Sequence, residues 1–174
     1  KIPRNYNGKF NFNSYGYNKN YNTNITESVL TNDFLYSSNQ FINNKGIVSS
    51  YELLLKNNNS YSKNSSNFRE NGKNDVFGTL KFNSSLPMAK INSDYTNYLT
   101  PRISFRYSPN GNSDISSKNI LLDYNNVFSL NRIGANHEVE GGESLSLGLE
   151  FKRDNIEGFN NFDLKIANNL RFNE

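Results

Sequence analysis

The chain contains no cysteine and no tryptophan, and only one methionine, one histidine and four prolines in 174 residues. Without cysteine there is no disulfide and no thiolate, which excludes a stapled secreted scaffold and a cysteine-ligated metal centre in this stretch. With His137 alone the usual zinc ligand sets cannot be completed. No apolar run approaches the roughly 18 residues that a membrane-spanning helix needs. Net charge is small as well. Nineteen Lys and Arg against 16 Asp and Glu leave +3, too scattered an excess for nucleic-acid binding.

Aromatic side chains are plentiful instead. Mean hydropathy is −0.77 and hydrophobic residues make up 34%, values of a soluble or disordered chain, yet there are 13 Phe and 11 Tyr. Disordered segments are poor in aromatics. The two facts agree if only every second residue of each strand must be apolar, as in a transmembrane β-barrel. Asn is abundant, as in Asn43-Asn44 and Asn57-Asn58-Asn59. The clusters fall mainly between patterned runs, so they read as turns and codon bias and not as a prion-like tract.

About eight runs alternate polar and apolar residues at ordinary barrel-strand length, roughly 9–11 residues each. In 99–107 the odd positions are Leu99, Pro101, Ile103, Phe105 and Tyr107, while Thr100, Arg102, Ser104, Arg106 and Ser108 are polar. The run from Ser144 sets Leu145, Leu147, Leu149 and Phe151 against Ser146, Gly148, Glu150 and Lys152. Further strands are expected near 6–17, with a bulge around Ser14 or Gly16, and near 25–37, 46–56, 75–83, 119–130 and 162–172. The longest connection is then Asn57–Asn74, a candidate extracellular loop, and Pro109-Asn110-Gly111-Asn112 is a turn.

Regular alternation without helix-period segments predicts an all-β antiparallel meander. A soluble sandwich and a membrane barrel share this pattern. Densely polar opposite faces and aromatics near strand ends (Tyr107, Phe151, Phe162, Phe172) favour the barrel. Arg102, Arg106, Lys152 and Lys165 are candidate lumen cations; they meet phosphates or, the simpler reading, pair with Asp123, Glu150 and Asp163 across strands. Pro101, inside a strand, reads as a strand start or bulge. His137, Glu138, Glu140 and Glu143 cluster on a Gly-rich loop and read as solvated surface, not a metal site or an acid/base pair. Asn24-Ile25-Thr26 and Asn64-Ser65-Ser66 match the glycosylation pattern as chance allows in so Asn-rich a chain.

The wording of LTPRISFRYSP, NILLDYNNVFSLNRIG and VEGGESLSLGLEFK resembles the C-terminal barrel of the LPS-assembly protein family LptD, also called organic solvent tolerance proteins, in its alphaproteobacterial form. The resemblance covers about a third of the chain. Its most specific part is Asn131-Arg132-Ile133-Gly134 followed by Val139-Glu140-Gly141-Gly142. It implies that residues 1–174 are a fragment of a large outer-membrane barrel of a Gram-negative cell, opening at Lys1 and closing at Glu174 within a longer protein and unable to fold stably alone. It implies transport and not catalysis: insertion of lipopolysaccharide into the outer leaflet, with no cofactor. The implied partners are lipopolysaccharide, an LptE-like lipoprotein plug and a periplasmic bridge protein that reaches the parent's N-terminal domain. For Asn131, Arg132, Gly134, Glu140, Gly141, Gly142 and Pro101 it implies a motif role. That role is structural, with Arg132 paired to a carboxylate such as Glu140, or a lumen contact. The family has Asp where His137 stands. A small-solute porin or receptor barrel and a soluble β-rich adhesin module are the rival functions.

Overall fold

The computed structural model describes residues 8–65, 70, 72–109, 121–132 and 139–172. Among these, nine strands form one antiparallel sheet: β1 (Gly8–Asn20), β2 (Thr26–Ser38), β3 (Phe41–Ile42), β4 (Val48–Lys63), β5 (Lys73–Ser85), β6 (Met88–Ile91), β7 (Tyr95–Ser108), β8 (Gly142–Asn155) and β9 (Asn160–Arg171). The order is β1-β2-β4-β5-β7-β8-β9, with β3 added beside β4 and β6 beside β7. The sheet is an open meander whose edges are β1 and β9. Antiparallel succession sends the connections 21–25, 64–72 and 109–141 to one end, called here the loop end. Those at 39–47, 86–94 and 156–159 lie at the other, the turn end.

Alternation sorts the side chains onto two unlike faces. On one face the register lines up Phe10, Tyr36, Leu53, Leu80 and Tyr107, and beside them Tyr51, Phe82, Phe105, Leu145 and Leu170. These apolar side chains are open to the surroundings, Phe10 at 78% and Phe34 at 50% exposure, Leu147 at 42%. The other face is polar, and it is the buried one. Among the described residues, sixteen polar or charged residues are buried against five hydrophobic ones, Val29, Leu54, Phe77, Val127 and Val139. A water-soluble domain has the opposite arrangement.

Burial of that polar face is tolerable because its charges are matched strand to strand. Asp33 lies opposite Lys56 in register, and Lys56 Nζ stands 2.7 Å from Asp33 Oδ1 and donates to Tyr15 Oη at 3.2 Å. Glu52 lies opposite Lys81 at 2.5 Å. Thr31 donates to Asn58 at 2.9 Å, and Ser108 Oγ donates to the Gly78 carbonyl at 2.9 Å.

Several expectations are corrected. Residues 121–130, assigned to a sixth strand, form turns and irregular chain; Asn119 and Ile120 lie outside the described residues, as does the turn at 110–112. No bulge interrupts β1 at Ser14 or Gly16, since its register with β2 runs unbroken from Gly8 to Asn20. Tyr15 and Tyr17 simply point to the polar face. The segment Asn57–Lys63 is strand and not loop. Its amides find partners across the sheet, which removes the usual objection to Asn in a strand. The connection at that end is therefore 64–72, and the longest one is 109–141. The weakly patterned run near 25–37 is β2, and two short strands, β3 and β6, join the expected set.

The matched charges generate a prediction. Glu52→Gln removes the carboxylate that faces Lys81, whose side chain is 7% exposed, and should cost about 3 kcal/mol in the full-length protein. Combining it with Lys81→Met should restore only part of that loss, because the Phe128 carbonyl then lacks the Lys81 donor. Urea midpoints of the two variants check both statements.

Candidate functional site

The described part of the chain between Ser108 and Gly142 lies on the polar face of the sheet. A tight turn starts it: Asp123 Oδ1 accepts from the Asn125 and Asn126 backbone N–H groups at 2.8 and 2.9 Å, and Val127 N–H donates to the Asp123 carbonyl at 3.0 Å. Such carboxylate-to-backbone bonds are what make Asp favour turns.

An irregular segment carries carbonyls that no ladder satisfies. Here the wall satisfies them. Ser146 Oγ donates to the Val127 carbonyl at 3.1 Å, Lys81 Nζ to that of Phe128 at 2.8 Å and Arg106 Nε to that of Leu130 at 3.0 Å. The Phe128 ring occupies the space above Gly148, where a Cβ would lie 2.4 Å from its Cζ. Tyr124 meets Phe128 edge-on at 5.6 Å and donates to Glu150 Oε2 at 3.3 Å. Burial, with Glu150 adding to it and Arg102 opposing, holds the Tyr124 phenol above its ordinary pKa, so it keeps the proton it donates.

A clasp closes the segment. Arg132 forks onto Glu140, Nε to Oε2 at 2.8 Å and Nη2 to Oε1 at 2.7 Å. The same guanidinium donates to Asn169 Oδ1 at 2.7 Å on β9 and to Ser144 Oγ at 3.1 Å on β8. Arg171 Nη2 reaches Glu140 Oε1 at 3.0 Å, and Arg106 Nη1 lies 4.0 Å from Oε2. Arg106 also donates through Nη2 to the Glu140 carbonyl. Three guanidiniums thus surround one buried carboxylate. Bidentate, charge-assisted bonds of this kind fix geometry strongly. We call residues 121–132 with 139–141 the strap.

The motif residues fall as follows. Arg132 and Glu140 form the clasp. Asn131 precedes it, Gly141 follows it, and Gly142 opens β8 at φ +92°, a conformation that favours glycine. Gly134, His137 and Glu138 lie outside the described residues. Pro101 is neither a strand start nor a bulge. It sits inside β7 opposite Leu149, where β7's other neighbour changes from β5, which ends at Ser85, to β6, which starts at Met88. A ladder donor is dispensable at such a break.

Arg102, Arg106, Lys152 and Lys165 all lie on the polar face. Two of the expected carboxylates are engaged: Arg102 approaches Glu150 across β7 and β8 at 3.7 Å, and Lys165 pairs with Asp163 at 3.3 Å, though on its own strand, while Lys152 pairs with Asp154 at 2.8 Å along β8. Asp123 serves its own turn instead of an ion pair. Arg102 also lines, with Ser50, Asn83, Ser85 and Phe128, a cavity of about 260 Å³ between strap and wall. Among the described residues no three metal-ligating side chains converge.

Phe128, Gly148, Lys81 and Asn169 were missed as members of the site. The signal for the first was present. Asp123-Tyr124-Asn125-Asn126 is a turn sequence in the middle of an apparent strand. The others hold only through tertiary contact. No family model matches the chain, and no curated protein matches it either.

Gly148→Ala should therefore expel the Phe128 ring, costing about 1–3 kcal/mol and opening the strap to protease. A second change, Phe128→Ala, should relieve the clash and remove the effect of Gly148→Ala. Limited proteolysis of the full-length protein, with mapping of cuts within 121–132, checks both.

Proposed function

We propose that this chain is an arc of the wall of an outer-membrane barrel that inserts lipopolysaccharide into the outer leaflet, as the LptD family does. The observation that carries the membrane part is the inversion of the sheet: apolar side chains outward, matched charges inward. The lipopolysaccharide part rests on the Asn131–Gly142 motif, whose Arg132 and Glu140 join the strap to the wall.

A second feature supports lipid over water. One outward aromatic on each of six strands, Phe10, Tyr36, Tyr51, Phe82, Phe151 and Phe162, falls on one slanting border, with Phe41 and Tyr95 beyond it toward the turn end. In register Tyr51 lies two residues beyond the Tyr36 line, Phe151 six beyond the Phe82 line and Phe162 two beyond the Phe151 line. At ~3.3 Å per residue and ~4.8 Å per strand, this slope inclines the strands by roughly 45–50° to the border normal. Transmembrane barrel strands tilt by about 35–45°, and their aromatic girdles follow the membrane plane. A soluble sandwich has no reason to keep such a line. The long connections at the loop end then face outward, with the strap folded back into the lumen. A polar lumen passes the sugar portion, while acyl chains keep to apolar surroundings. In this reading the plug lipoprotein and the periplasmic bridge are the partners, and both edges continue into further strands.

The strap also suits the rival in which a barrel passes small solutes, since it narrows a polar lumen. The two separate experimentally. A photoreactive amino acid at Arg102 in the full-length protein, in cells, should yield a light-dependent adduct carrying lipopolysaccharide. Depletion of the protein should stop newly made lipopolysaccharide from reaching the cell surface. Slower uptake of small solutes with normal surface lipopolysaccharide and no adduct would replace the translocon with a pore.

A further inference from the structure

The outward face is not equally apolar around the wall. Counting from the aromatic border toward the loop end, β7 presents five apolar residues in succession, Leu99, Pro101, Ile103, Phe105 and Tyr107, and β8 presents four, Phe151, Leu149, Leu147 and Leu145. On β4 there are three, Tyr51, Leu53 and Leu55, before Asn57. On β2 there are two, Tyr36 and Phe34, before Asn32, and on β1 two, Phe10 and Phe12, before Ser14. Along the strand this is a band of roughly 27 Å on β7 and roughly 7 Å on β1.

The residues that end the band on β1–β4 are joined to one another. Ser14 Oγ donates to Asn32 Oδ1 at 2.7 Å, Asn32 Nδ2 to Asn57 Oδ1 at 3.4 Å and Asn59 Nδ2 to the same oxygen at 2.6 Å. Asn57 Nδ2 donates onward to Asn74 Oδ1 at 2.9 Å on β5. Register places Ser14, Asn32 and Asn57 on one line across three strands. This is a ladder of neutral amides on the face that elsewhere meets lipid. Beyond it stand Leu30 and Tyr61, 47% and 48% exposed.

We propose that this amide ladder is a headgroup-binding rail: the polar layer of the leaflet at the loop end descends to it, so the bilayer is thinned along β1–β4 relative to β7–β8. Each amide carries two N–H donors and two acceptor lone pairs. The ladder uses only part of that capacity, and the remainder faces outward, where hydrocarbon has nothing to bond it. Headgroup oxygens and their water do. The rail carries no charge, so neutral hydroxyl and carbonyl groups suit it as well as phosphates. A short apolar span is accommodated by local thinning of the bilayer, which is how mismatch is ordinarily relieved. The inference rests on the membrane reading given above.

Single spin labels are placed at Leu30→Cys and Leu145→Cys, any cysteine of the full-length protein outside these 174 residues being replaced first. The two sites are six residues from the border residues Tyr36 and Phe151 of their own strands, and neither belongs to the ladder. The full-length protein is reconstituted in vesicles of its native lipids, and collisions with oxygen and with a water-soluble nickel chelate are compared. The rail predicts a label at 145 that favours oxygen and a label at 30 that favours the chelate, a severalfold difference in the accessibility ratio. Oxygen preference at both sites overturns the rail and leaves the membrane wall standing. Chelate preference at both overturns the wall and the rail together. A label at 30 shielded from both reagents, beside an oxygen-favouring 145, overturns the rail in favour of a protein partner.

Discussion

The fold depends on pairing charges across a buried polar face. An ordinary domain hides hydrocarbon and leaves charge in water. Here Lys56, Lys81, Arg106 and Arg132 are buried, and each meets a carboxylate within 4.0 Å. Removing charge from water is expensive, and only well-placed partners offset it. Antiparallel register supplies those partners at a fixed spacing, so Asp33 with Lys56 and Glu52 with Lys81 act as alignment marks between strands as well as ion pairs. A slip of one residue would turn each charge to the apolar face, which is why this register is strongly specified.

A polar wall also explains how an irregular segment can lie against a sheet. Backbone carbonyls outside regular structure need donors when water is displaced. An apolar core has none to give. Ser146, Lys81 and Arg106 provide one each, and the glycine at 148 provides room for Phe128. The clasp then ties both flanks of the strap to β8 and β9 through a single carboxylate. Glu140 is therefore the residue that joins the two ends of the strap to each other and to the wall.

The strands were legible because period-two alternation is a local signal. Leu145, Leu147, Leu149 and Phe151 announce β8 with no help from the rest of the chain. What resisted reading was set by contacts distant in sequence. The Asn-rich end of β4 looks like a loop by propensity, and it is strand because Asn57, Asn58 and Asn59 bond to side chains on β2, β4 and β5. The stretch 121–130 alternates well enough to imitate a strand, but Asp123 closes a turn inside it and the wall takes up its carbonyls. In the site, the pairing of Arg132 with Glu140 follows from charge and proximity in sequence. Their engagement of Asn169 and Arg171 on another strand does not.

The free edges carry the last consequence of the inversion. Outward apolar side chains continue to the outermost strands, Phe10 and Phe12 on β1 and Leu164 and Ile166 on β9. In water an open edge is an aggregation site; in hydrocarbon its unpaired N–H and C=O groups cannot persist at all. Neither solvent therefore accepts this sheet as it stands, with one apolar face uncovered and two edges wanting partners. The membrane reading meets both demands only if further strands pair with β1 and with β9. It also requires that those strands keep the same inclination, so that their apolar residues extend the aromatic border already drawn from Phe10 to Phe162. A strand that paired correctly but broke that line would carry its band out of the bilayer. In that reading the register of a strand added on either side is constrained by this sheet as firmly as the registers within it.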